Sequence, residues 1–180
     1  MANCKGTDIV ALRKLLTERG GEAEQAFVSQ LDPELVKVFR TIVSTSWAPV
    51  EQHARIYQAA AKVLYPGERE PVVRVGEALA RKSYSGVYKI FLRIPTVKFV
   101  MSRAASIWSA YYDAGRASIS SSAPRKIVLL VEDFPDLPQP LRETAQGHMR
   151  VLMEMTGCRN PQVRCDTADP RAWKWVLTWD

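Results

Sequence analysis

The last strand of the chain narrows the choice of fold more than any other stretch. Trp173, Trp175, Leu177 and Trp179 alternate with Lys174, Val176 and Thr178, the period of two that sends one set of side chains to each face of a strand. A slip of one residue would turn three indoles into water, so the pairing register is strongly specified. Upstream, Val163, Cys165 and Thr167 alternate with Gln162, Arg164 and Asp166, and Ala168-Asp169-Pro170 is a turn signal. The chain therefore ends in an antiparallel pair with an indole-rich face, and that face is expected to pack the sheet on helices.

Helical patterns precede it. Ile9, Leu12, Leu15 and Leu16 make an apolar stripe that Gly20-Gly21 closes, and GEAEQAFVSQL adds a short helix. Asp32-Pro33, an N-cap followed by a proline at the first helical position, starts a helix expected to carry Leu35, Val36, Phe39, Ile42 and Val43 inward. Ser46 and Pro49 begin the next, which buries Val50, Ala54, Tyr57, Ala60, Ala61 and Leu64 and stops at Pro66-Gly67. His53 lies off that stripe and is expected to face solvent. In the helix from Pro71 to Lys82, Gly76 costs roughly 1 kcal/mol of propensity against alanine, so it either marks close approach by a helix or ligand or is merely accommodated there. Pro95 marks a corner. Beyond it Val97, Val100, Met101, Ala104, Ile107, Trp108, Tyr111 and Tyr112 predict one continuous helix closed at Gly115.

The composition then changes. RASISSSAPRK reads as a polar loop over 116–126, IVLLVEDF as a strand apolar on both sides, and LRETAQGHMRVLMEMTGC as a helix. That helix is expected to turn Leu141, Ala145, His148, Met149, Leu152 and Met155 inward, with His148 a core-edge residue. Helices first and strands last predict an α+β class. The 180 residues form one domain in this reading. Residues 1–115 hold about five to six helices; 116–126 is the loop; 127–180 is a strand-helix-strand-strand part whose small, mainly antiparallel sheet packs on the helices.

Function is less legible. Glycine-rich phosphate loops, GxGxxG, GxSxG and HExxH motifs are missing, and Cys4, Cys158 and Cys165 share no metal-type spacing. No catalytic residue and no metal are expected. No apolar run approaches the ~20 residues of a membrane span, and MANCKGTDIVALRKLL shows no secretory signal, so a cytoplasmic protein is expected. The net charge of +6 is concentrated. Between Ala78 and Tyr112 lie Arg81, Lys82, Lys89, Arg93, Lys98 and Arg103 and no acidic residue.

The runs WAPVEQHARIYQAAAKVLYPGE, GEALARKSYSGVYK and SIWSAYYDAG, with the close GCRNPQVRC and DPRAWKWVLTW, resemble a bacterial paralogous family of unknown function, common in myxobacteria and their relatives. More distantly, the element order is similar to haem nitric-oxide-binding domains and to 4-vinyl-reductase-type small-molecule-binding domains. That resemblance implies a sensor holding a ligand between helices and sheet. Haem itself is not expected. The stretch from Val97 to Asp113 carries no histidine, the Tyr-x-Ser-x-Arg motif that grips the propionates in the haem relatives is missing, and His53 and His148 sit on other helices. No other cofactor is expected either.

The reading is thus a non-enzymatic sensory or adaptor domain, homodimeric, binding a small apolar molecule or a protein partner. Phe91, Phe99, Trp108, Tyr111 and Tyr112 are expected to line the pocket, and Lys89, Arg93 and Arg103 to receive a carboxylate or an acidic patch. The alternative is a nucleic-acid- or anion-binding module that uses segment 78–112 as a phosphate track, without a helix-turn-helix, RNA-recognition or zinc-finger pattern behind it.

Overall fold

The computed structural model describes residues 1–84, 96–134, 138–166, 168 and 172–180. Among these, helices dominate the first two thirds. After strand β1 (Asn3–Lys5) come α1 (Thr7–Arg19), α2 (Gly21–Val28) and α3 (Pro33–Thr41), then β2 (Trp47–Pro49), α4 (Val50–Leu64), α5 (Pro71–Ser83), α6 (Val97–Met101) and α7 (Ala104–Tyr111). The last third is β3 (Arg116–Ala123), β4 (Lys126–Glu132), α8 (Gln139–Met155), β5 (Gln162–Asp166) and β6 (Ala172–Thr178). The α+β class holds, with small antiparallel sheets packed on helices.

Local chemistry explains the boundaries. Asp32 caps α3 by accepting from the Leu35 amide at 2.9 Å, and Pro33 occupies the first turn. Just beyond the ends of α7 and α8, Gly115 and Gly157 take φ of 74° and 78°, a region glycine enters without a Cβ penalty.

The C-terminal sheet has the order β3-β4-β6-β5, antiparallel throughout. In it Leu129 faces Trp175, Val131 faces Trp173 and Ile127 faces Leu177. These six side chains are buried together with Val163 of β5, so the period-two reading of β6 is correct and β4 is central. One core joins this face to the helices: the Trp108 ring of α7 lies 6.3 Å from that of Trp175. The indole-bearing strand and the aromatic helix therefore meet.

Gly76 of α5 and Gly147 of α8 mark the tightest crossing. A Cβ at Gly76 would stand 2.3 Å from the Thr144 carbonyl oxygen, and one at Gly147 2.3 Å from the Val73 carbonyl oxygen. Two backbones meet there with no side chain between them, which explains a glycine in mid-helix at both places.

Four expectations are corrected. Residues 116–126 are no loop: Arg116–Ala123 is an edge strand with its serines largely on the wet side, and a bulge between Ile119 and Ser121 lets the Ser120 hydroxyl donate to the Val128 carbonyl at 3.3 Å. The single helix beyond Pro95 is two, α6 and α7, broken around Ser102 and Arg103. Val43 is 53% exposed, because α3 ends at Thr41. His53 is fully buried, since β1 and β2 pair across the start of α4 and bring the Lys5 carbonyl 3.2 Å from Nε2, opposite the Pro49 carbonyl 3.3 Å from Nδ1.

Candidate functional site

The seam between helices and sheet is not filled. A cavity of about 80 Å³ lies there, walled by Met101, Trp108, Tyr111 and Tyr112 on one side and by Ala145, Met149 and Leu152 of α8 on the other. Leu129 of β4 closes it, and Asp8 and His148 face it from α1 and α8. The wall is mostly apolar, and its polar residues are Asp8, His148, Thr144 and the tyrosines Tyr84, Tyr111 and Tyr112. Trp108 stacks on Tyr112 with centroids 4.2 Å apart and donates its indole N–H to the Ala114 carbonyl at 2.8 Å. Both rings are thereby fixed.

Asp8 is placed by its neighbours in sequence. It lies in the first turn of α1, where the helix dipole favours a carboxylate, yet it is only 5% exposed, and Cys4 of β1 and Tyr112 at the α7–β3 corner are near enough to feel its charge. That corner is tied to the N-terminus: Asp113 accepts from the Asn3 backbone N–H at 2.6 Å and from the Asn3 side chain at 2.7 Å. These bonds, the backbone one foremost, hold the Asp113 carboxyl below its ordinary range.

His148 donates from Nδ1 to the Thr144 carbonyl at 2.9 Å, and its Nε2 stands 3.4 Å from Asp8 Oδ2. This is an ion-pair contact and not a hydrogen bond by geometry, so His148 Nε2 and Asp8 Oδ1 are both buried without a hydrogen-bond partner. Burial alone would lower the His148 pKa, but the charge and proximity of Asp8 outweigh it and hold the imidazole above its ordinary value. Tyr84 and Tyr111 meet the same ring edge-on, with centroids 6.2 and 6.3 Å away. Burial raises the Tyr112 and Tyr57 phenols well above their usual range, so both hydroxyls stay protonated at neutral pH.

Trp108, Tyr111 and Tyr112 line the cavity. Phe99 does not: it is 40% exposed, and the Arg103 guanidinium lies over its ring at 5.3 Å. Arg103 is a surface residue held there, away from the cavity. Phe91, Lys89 and Arg93 lie outside the described residues. Of the basic run, Arg81 pairs with Glu154 at 2.6 Å and Lys82 with Glu18, which leaves a weaker phosphate track than the sequence suggested. No group of three or more metal-binding side chains occurs among the described residues, and no helix among them is long and apolar enough to cross a membrane. The thiols are disfavoured as nucleophiles, since burial pushes Cys165 up to about 11 and also raises Cys4 and Cys158.

No family model and no curated protein matches this sequence, so the resemblance to a bacterial paralogous family has no match behind it. Solved structures do match. An H-NOX protein from K. algicida in the Fe(II) unliganded state superposes with a TM-score of 0.70 at 8% identity, over 98% of this chain and 96% of that one. An H-NOX protein from S. oneidensis in the Fe(II)NO state gives 0.68 at 14%, over 98% and 99%. An oxygen-binding H-NOX domain related to soluble guanylate cyclases gives 0.61 at 13%, over 97% and 92%. This chain has the H-NOX fold. That finding overturns the expectation of no cofactor: these neighbours are iron(II) or oxygen-binding proteins, and a further one, at 13% identity and a TM-score of 0.61, is described by its haem redox potential, so haem is the group to consider.

Two requirements decide whether these residues suit it. The donor is present, because Nδ1–H of His148 is committed to a carbonyl and its Nε2 is left as the nitrogen able to ligate iron. Methionine and tyrosine, two further haem-ligand types, stand in the same wall as Met101, Met149 and Tyr111. Room is scarcer. A cavity of ~150 Å³ accepts benzene, and this one is about 80 Å³. The donor set fits haem, and seating the macrocycle requires the seam between helices and sheet to open.

Sequence reasoning missed Asp8, which the fold brings to a residue 140 positions away. One signal was available: Asp8 falls on the same stripe as Leu12 and Leu15.

Proposed function

We propose that this chain is a sensory domain that binds a small molecule at the seam between its helices and its sheet. One observation carries the reading: Asp8 Oδ1 and His148 Nε2 are buried, lack hydrogen-bond partners and face an apolar cavity, in a fold shared with H-NOX domains over nearly the whole chain. Buried polar atoms left unpaired are costly, and a guest that pairs them recovers that cost. Apolar walls with a few convergent polar groups are what small-ligand sites look like.

Haem is the first guest to test. His148 would hold its iron, the Thr144 carbonyl would keep the ring oriented, and Trp108 and Tyr112 would exclude water from one side. When bound, haem supplies an iron centre for a small gas, in keeping with the nitric oxide and oxygen of the structural neighbours. Because α1, α7, α8 and β4 all border the cavity, a guest that spreads the seam shifts these elements relative to one another. Signalling then results if a protein partner or a second copy of the chain binds the two arrangements with different affinity.

The test is thermal unfolding with increasing haemin, read beside the absorption spectrum. A guest at a hundredfold excess over its Kd stabilises by about 2.7 kcal/mol, so a saturable rise in Tm with a haem absorption band is expected. Ala145→Phe, which fills the cavity, should abolish both while keeping the helical circular dichroism. The proposal is refuted if neither haemin nor any small guest shifts Tm and Ala145→Phe unfolds like the parent.

A further inference from the structure

We infer that the cleft bordered by the first turn of α5, by α8 and by strand β5 binds a small multivalent oxyanion, a ligand separate from any guest at the seam.

The cleft holds about 780 Å³, within the range of small-molecule sites. Arginines reach it from three parts of the chain: Arg69 ahead of α5, Arg142 and Arg150 on α8, and Arg164 on β5. Glu70 and Glu143 are the acids on its wall, so positive charge is in excess. Both acids are already engaged, Glu70 at 3.6 Å from Arg150 and Glu143 as acceptor from the Gln139 amide at 2.7 Å. Arg150 is committed as well, since it donates to the buried Glu77 at 2.7 Å. Arg69 and Arg164 make no ion pair or hydrogen bond among the described residues.

Two helix starts border the same cleft. Pro71 and Val73 belong to the first turn of α5, Gln139 opens α8, and neither helix has a side-chain cap on its first amides. The orphan N–H groups and the dipole of a helix start favour an anion. A further observation is independent of charge. Gln146 is only 6% exposed, lines the cleft, and its amide makes no hydrogen bond among the described residues. A buried amide left unpaired is costly, and an oxyanion accepts from its NH₂ group.

An anion with more than one charged group is the ligand that answers arginines on separate elements. A guanidinium forks onto two oxygens of a carboxylate or of a phosphate alike, and the experiment separates the two sources. Arg142 and Gln146 border this cleft while Ala145 and Met149 border the seam cavity, so the two sites lie on different faces of α8 and are tested independently.

Inorganic pyrophosphate and glutarate are titrated in turn into the full chain by isothermal titration calorimetry at low salt, with Tm recorded for every variant. At least one of them is expected to bind at a single saturable site, and the tighter one assigns a phosphate-bearing or a carboxylate ligand. Arg164→Gln and Arg69→Gln replace exposed side chains, and each should weaken binding about tenfold or more, as loss of a charge-assisted hydrogen bond does. Gln146→Leu should weaken it as well, with net charge unchanged. Arg19→Gln removes the same charge at the end of α1, outside the cleft, and should leave affinity nearly unchanged, because salt screens distant charges. Binding by neither anion would overturn the inference. So would an equal loss in Arg19→Gln and Arg164→Gln, which would mean that the anion reads only net charge, or full affinity in both Arg164→Gln and Gln146→Leu.

Discussion

Replacing Gly76 by alanine tests how rigidly the site is held. The new Cβ would meet the Thr144 carbonyl oxygen at 2.3 Å and its carbonyl carbon and Cα at 2.9 Å. All three are backbone atoms of α8, so no side chain can rotate away and the helices must part by about an ångström to reach ordinary contact. Overpacking of this kind costs about 1–3 kcal/mol. Alanine returns roughly 1 kcal/mol of helix propensity, and because the obstacle is backbone the upper end of the range applies, giving a net loss of about 2 kcal/mol. For a chain of this length that is a fall in Tm of roughly 4–8 °C, measured by differential scanning calorimetry. The site should register it as well, because the Thr144 carbonyl is the acceptor of His148 Nδ1–H, and the His148 ring resonances should move. Gly147→Ala presses on Val73 and Glu77 from the other side, so the double variant should lose less than the sum of the two. Gly21→Ala, which meets nothing within 4 Å, should leave Tm unchanged or slightly higher. An unchanged or raised Tm for Gly76→Ala would refute the close crossing of α5 and α8.

The same geometry sets other outcomes. His148 has a raised pKa in the folded chain, so its pairing with Asp8 contributes stability fully present below the ordinary value of about 6.5 and lost as pH rises through the folded value. Urea unfolding of the parent should therefore lose stability relative to Asp8→Asn on the alkaline side of that window, and parallel curves would contradict the pairing. His53 works in the opposite sense: burial depresses its pKa, so its neutral form favours folding above pH ~6.5 and it destabilises as pH falls below that value. If His148 holds haem, ligation requires the unprotonated Nε2, so the haemin spectrum should strengthen as pH rises through the same window. His148→Ala should weaken it, and free imidazole should restore it. An absorption band indifferent to His148→Ala would remove that residue as the ligand.

Sequence and structure agree where a strong local pattern meets a buried partner. The alternation of Trp173, Trp175 and Leu177 sets the β6 register, the Asp32-Pro33 pair sets the start of α3, and of the two readings open for Gly76 the structure selects the close neighbour. The failures share a cause. Strands of three residues such as Asn3–Lys5 and Trp47–Pro49 are too short for any period to show, and without them His53 looked exposed. The serines of β3 resemble a loop because an edge strand with one wet face needs only Ala117 and, in part, Ile119 as its apolar side. Phe99 falls off the stripe of Val97, Val100 and Met101 in the same short helix, which turns it outward under Arg103. The pairing of Asp8 with His148 could not be read from spacing at all, since only the tertiary fold joins α1 to α8.

Diffraction from a crystal under xenon pressure is the most direct check that the seam holds a guest. Xenon enters apolar cavities of this kind, and a peak is expected among Trp108, Met149 and Leu152, beside the Asp8 and His148 end, and absent from Ala145→Phe. Density for solidly packed side chains at that position, with no xenon in the parent protein, would contradict the account.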